Sequence, residues 1–195
     1  MINVCRQIAC TAVCLLFCLS GCWYSPWESL TYEAVDAPDS HWEAMQALSN
    51  CCATNRHEAC VFDGVMCSVM LRASGYYMEE HGPYTLSLGM VEIHDGRRNH
   101  RDRVVRVKRV AVKMSGSTLW RQEDFQIKLD RHEILNSRFL ASGYGEIVLP
   151  DILDPKDGRM VEVEVAVERD NGEDKTLDFK FRPKVESGKI RVLSV

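Results

Sequence analysis

The sequence predicts a mainly β fold: an antiparallel β-sandwich, with an immunoglobulin-like arrangement among its variants, preceded by one short N-terminal α-helix. Three observations predict it. Beyond residue 60 nearly every apolar segment has the length and composition of a strand, with turn residues between segments. The C-terminal segments Val161–Val167 and Thr176–Arg182 alternate between apolar and mostly charged or polar side chains, as strands with one buried and one wet face do. Only the stretch after Ser40 combines a helix-start signal with apolar residues at helical spacing.

The chain has 195 residues, 46% hydrophobic and 27% charged, enough for one sizeable core, and it shows no repeat or low-complexity tract. Its net charge of −4 gives no general reason to expect nucleic acid as a partner.

At the N-terminus, Ile8–Leu19 is twelve apolar or small residues without a charge, and Arg6 and the amino terminus make a modest positive region before it. Such a run suits the apolar part of a secretion signal and is too short to span a bilayer as a helix. It ends in Leu19-Ser20-Gly21-Cys22. That tetrapeptide resembles the lipobox of bacterial lipoprotein precursors, in which a cysteine follows two small residues and a leucine. The chemistry asks for these types: a thiol accepts the diacylglyceryl group, and small side chains fit the cleavage pocket. The resemblance covers residues 1–22 alone. It implies cleavage before Cys22, several acyl chains as a stable anchor, and an extracytoplasmic domain. Trp23 after the anchor, in place of aspartate, implies sorting to the periplasmic face of the outer membrane.

The chain is therefore expected to comprise a signal peptide over 1–21, a lipidated tether over 22–38 and a single domain over 39–195. In the tether, Pro26 and Pro38 discourage regular structure. Trp27 and Tyr32 suit either a headgroup layer or packing on the domain surface.

Ser40-His41-Trp42-Glu43 has the form of a capping box, followed by Ala44, Met45 and Leu48, so a helix is expected to end near Asn50. Cys51, Cys52, Cys60 and Cys67 follow, an even number in a compartment that permits oxidation. A Cys51–Cys52 bond would close a strained ring, which leaves 51–60 with 52–67, or 51–67 with 52–60. One bridge plus two buried thiols is a further option. Their spacing does not suit zinc.

Strands are expected over Val61–Leu71, Tyr84–Ile93, Val104–Met114, Phe125–Leu129, Ile134–Leu140 and Tyr144–Leu149, giving seven or eight with the C-terminal pair. Ala141–Gly145 reads as a flexible turn. In Val104–Met114 the apolar residues change parity after Val107, so a β-bulge near Lys108-Arg109 is expected to keep them on one face. Between the last two strands stands Asn171-Gly172, a two-residue turn signal. That tight turn would set Val165 opposite Asp178 and mix the faces. Matching the faces suggests Val167 opposite Leu177, Val165 opposite Phe179 and Val163 opposite Phe181, with Glu164 by Lys180 and Glu162 by Arg182.

For chemistry, the basic stretch comes first. Arg97, Arg98, Arg101, Arg103, Arg106, Lys108, Arg109 and Lys113 face only Asp102 in the same stretch. They suit a surface for an anionic partner, or a solvated strand face balanced by Glu162, Glu164 and Glu168. No aromatic lies among them, which argues against a base-stacking surface. His94, Asp95 and His100 have no metal-ligand spacing, Asp151, Asp154 and Asp157-Gly158 lack the order of a calcium loop, and His132-Glu133 lacks the second histidine of a zincin. No serine stands in a G-x-S-x-G elbow.

No catalytic, metal or cofactor motif emerges. The sequence favours a non-catalytic envelope lipoprotein, held to the membrane by its lipid and acting on another envelope protein or component. The alternatives are an inhibitor or immunity lipoprotein that neutralises a toxin or hydrolase, and a small periplasmic hydrolase.

Overall fold

A computed structural model describes residues 23–35, 60–75, 80–95, 103–134 and 138–192. The helix expected over Ser40–Asn50, the lipobox, Cys51, Cys52, Arg97, Arg98, His100 and Arg101 lie outside these residues. The described residues contain no α-helix, only one 3-10 turn at Pro155–Asp157.

The strands are β1 (Trp23–Ala34), β2 (Val61–Phe62), β3 (Val65–Ser74), β4 (His81–Asp95), β5 (Arg103–Met114), β6 (Ser117–Ile134), β7 (Arg138–Val148), β8 (Val161–Glu168) and β9 (Asp174–Val192). They form one sheet in the order β1-β9-β8-β5-β6-β7-β4-β3-β2, and the registers resolved from β2 to β9 are antiparallel. The mainly β expectation holds, as one nine-stranded sheet. The chain divides into two compact units, Ser29–Val185 and Met1–Glu28 with Glu186–Val195. In the smaller one, the indole of Trp27 covers Gly188 so closely that a Cβ there would come within 2.7 Å of Nε1.

Within Ser29–Val185 the sheet curls around one core. Inward side chains of β3 and β4 (Val65, Cys67, Val69, Leu86, Leu88, Met90) join those of β5, β8 and β9 in a single cluster. Val161, Val163, Val165 and Val167 are each fully buried. Each contributes roughly 1.5–3 kcal/mol of burial energy. β6 carries the sheet from one half to the other, pairing with β5 up to Leu129 and with β7 from Asp130 onward.

The sequence expectations change at five places. Trp23–Ala34, expected as tether, forms β1: Tyr32 is buried edge-on against Tyr84, and Leu30 N–H donates to the Glu80 carbonyl at 2.6 Å. Val61–Leu71 is two strands, because Asp63 and Gly64 take positive φ (44° and 80°) in a two-residue turn. Phe125–Leu129 is the middle of the much longer β6. Ala141–Gly145 is strand, paired residue by residue with β4, where Gly143 lets the β6 backbone approach.

The fifth is the β8–β9 register. Val165 lies opposite Leu177, Val163 opposite Phe179 and Val161 opposite Phe181, two residues from the expected pairing. Faces match as expected, but the turn is centred on Asn171, one residue earlier than the expected register would centre it. Gly172 at φ 82° closes a three-residue loop in which Arg169 N–H donates to the Glu173 carbonyl at 2.8 Å. This satisfies the burial pattern and puts Gly172 at the third loop position, which takes the left-handed conformation in three-residue hairpin loops. Glu162 meets Lys180, whereas Glu164 meets Asp178.

The bulge appears where parity required it. Val107 pairs with Val167 and Arg109 with Ala166, so Lys108 is the extra residue, and Val105, Val107, Val110, Val112 and Met114 are all buried.

Candidate functional site

The bulge at Lys108 that keeps the β5 valines inside also sets its cations on the outer face. Past it, Arg109, Ala111 and Lys113 alternate with buried Val110, Val112 and Met114. Across the seam, β8 presents Glu162, Glu164 and Glu168. Glu164 lies opposite Ala111, whose methyl group leaves room for it to reach both diagonal neighbours. Lys113 Nζ donates to Glu164 Oε2 at 2.5 Å, and Arg109 pairs with the other oxygen. The Lys113 hydrogen bond, with help from Arg109, holds the Glu164 carboxyl below its usual range against the effect of desolvation.

The next acceptor along β8 is Glu168, bonded by Lys108 at 2.6 Å and approached by Arg106 at 3.5 Å. Arg106 also grips Asp124 with two nitrogens at 2.7 and 3.0 Å. Asp124 has positive φ (56°) within β6 and faces the bulge across the ladder. Both carboxyls are held low, Asp124 chiefly by the Arg106 hydrogen bond and Glu168 chiefly by that of Lys108.

The β5–β8 face is thus a lattice of alternating charge. Beside it lies a shallow open cleft of about 550 Å³, lined by Arg109, Ala111, Lys113, Thr118, Leu119, Trp120, Arg121 and Glu164. Arg121 is the most exposed of its cations, with a longer 3.6 Å approach to Glu123. The cleft offers cations and an indole at its margin, a chemistry for gripping an anionic or mixed polar surface.

Arg103 belongs elsewhere. At the start of β5 it donates to the Asp63 carbonyl at 3.0 Å, to Glu92 at 2.7 Å and to Asp170 at 2.9 and 3.1 Å. Asp63 in turn accepts from Arg169 and from the Asp170 backbone N–H at 2.8 Å. These bonds latch the β2–β3 turn to the β8–β9 loop, and Lys175 adds a bond to the Val61 carbonyl at 2.6 Å. Sequence reasoning missed this cluster because its members are far apart in the chain. Asp63-Gly64, a strong turn signal, marked one corner of it.

Asp154 caps the 3-10 turn by accepting from Lys156 N–H at 2.9 Å, Asp157 pairs with Arg159, and Gly158 ends the turn at φ 68°. With Asp151 they border an open cleft of about 440 Å³, as the wall of a turn. His94 and Asp95 end β4, and His132 and Glu133 lie on β6. Among the described residues no group of three or more His, Cys, Asp or Glu is placed to hold a metal, and no helix is long and apolar enough to cross a membrane.

Cys60 and Cys67, two of the four cysteines expected to form bridges, are both buried, and Cys51 and Cys52 lie outside the described residues. Burial pushes the Cys60 thiol up to about 11, and Cys67 higher still.

No protein family, curated protein or solved structure matches the chain.

Proposed function

We propose that this chain is an envelope lipoprotein, anchored through Cys22 at the periplasmic face of the outer membrane, whose domain works as a non-catalytic binding or structural module. In this reading the two halves of the curled sheet pack as the layers of a sandwich, and the outer face of β5, β6 and β8 meets the partner. One observation carries it: this face sets Arg109, Lys113, Arg121 and Trp120 around a shallow open cleft. The cations near Glu164 and Glu168 are held in fixed positions by ion pairs. Preset charges of both signs suit steering and registering a complementary partner surface more than bond breaking, which asks for converging groups in an enclosed site.

The partner is another envelope component of acidic or mixed-charge surface, reached while the lipid holds the domain at the membrane. The test is affinity capture from detergent-solubilised envelopes with the full-length protein and its Arg121→Glu variant. A partner retained by the wild type and lost with the reversed charge supports the proposal. Hydrolysis of an ester or peptidoglycan substrate by the purified protein, abolished by one point substitution, overturns it.

A further inference from the structure

We infer that Cys60 and Cys67 are joined by a disulfide across the β2–β3 hairpin in the exported protein; the oxidising compartment rests on the lipoprotein reading above, the pairing on the register. The turn at Asp63-Gly64 sets Phe62 opposite Val65 and Val61 opposite Met66. The next pair outward is Cys60 and Cys67, and Cys67 N–H donates to the Cys60 carbonyl at 2.9 Å. Both side chains point to the core side of the hairpin with Phe62 and Val65, in one cluster, 1% and 0% exposed.

The separations fit. Hydrogen-bonded antiparallel partners have Cα atoms about 5.5 Å apart, inside the roughly 4.4–6.8 Å span of disulfides. Their Cβ atoms, toward the wide end of about 4.5–5.5 Å for a hydrogen-bonded pair, must close by roughly 1–1.7 Å to reach the disulfide mean of about 3.8 Å. That adjustment falls on Cys60, which stands one residue outside β2 and is tied to Cys67 by one backbone hydrogen bond. Pairing these two also frees Cys51 and Cys52 from the arrangements that the sequence spacing suggests.

Timing follows from burial. With both thiols raised by desolvation, little thiolate forms once the hairpin is packed. The bond therefore forms while the chain folds, by exchange with an external disulfide such as oxidised glutathione or the disulfide of an exchange catalyst. One cysteine thiolate attacks a sulfur of that disulfide and expels the first thiol. The second attacks the mixed disulfide and expels the other. Two protein thiols become one disulfide, and the external disulfide becomes two thiols, which carry the two hydrogens away.

Trypsin leaves both residues on one peptide, His57–Arg72, and Cys51 and Cys52 on another. The experiment is peptide mass spectrometry of the full chain, isolated from membranes without reductant and alkylated in denaturant. The expected result is His57–Arg72 lighter by two hydrogens and unalkylated, taking two alkyl groups only after reduction. Alkylation of both cysteines without reduction in a protein lipidated at Cys22, or a cross-link from His57–Arg72 to the Cys51/Cys52 peptide, overturns the inference. A second arm refolds the purified full chain with oxidised glutathione. If cellular protein keeps its leader and reduced thiols, yet this arm gives the internal bond, the pairing stands and the export reading falls. If the arm gives another pairing, the inference itself falls.

Discussion

At position 143 a missing side chain decides how closely two strands cross. A Cβ on Gly143 would sit against the Lys128 carbonyl oxygen and crowd Ile127. Backbone is the obstacle, so relief requires moving β6. Gly143→Ala is expected to cost about 1–3 kcal/mol, the usual range for overpacking, read as a lower denaturant midpoint. Asp63 is a second such residue. The Asp170 backbone N–H holds its carboxyl below the ordinary range against the opposing effect of desolvation, with help from Arg169 and Arg103. A depressed folded-state value means that the stabilisation is complete above the unfolded value, about 3.9, and is lost as pH falls through the folded one. Asp63→Asn is therefore expected to lower stability near neutrality and to flatten its decline below about pH 4. An unchanged acid limb in pH-dependent unfolding would contradict the latch.

Elements show how far the sequence could be read. Alternation in Val161–Val167 and Leu177–Phe181 located two strands and their buried faces, because burial acts residue by residue along the chain. The parity change after Val107 located the bulge for the same reason. What alternation cannot see is a shift by two, since every even shift keeps the faces matched. The loop chose among them, through Gly172 at positive φ. Ala141–Gly145 misled in another way: small residues serve a close crossing as well as they serve a turn. Two expectations belong at this scale. Phe179→Ala removes a ring buried to 1% exposure and should cost about 3–5 kcal/mol. Glu164→Gln should cost about 1–3 kcal/mol, as the loss of hydrogen bonds to a charged, half-buried carboxylate does, and the loss should shrink in high salt. A loss for Glu164→Gln as large as for Phe179→Ala would mean that the charge lattice holds the fold and is not merely laid over it.

For the whole molecule, the strand order was beyond the sequence, because pairing of β8 with β5, and of β7 with β4, joins segments far apart in the chain. The basic stretch illustrates the consequence. Read linearly it is one block of charge, yet folding sends Arg103 to the latch and Arg106, Lys108, Arg109 and Lys113 to carboxylates on β6 and β8. Among the described residues, the proposed partner surface is centred on the cleft beside Arg121. The proposed function joins this face to an anchor at the other end of the chain, and Cys22→Ser should move the protein out of the membrane fraction. The most direct test of the anchored reading is the mass of the N-terminal peptide of protein taken from bacterial membranes. The account predicts a chain beginning at Cys22 and carrying acyl chains; an intact Met1 leader, or an unmodified terminus at another residue, would contradict it.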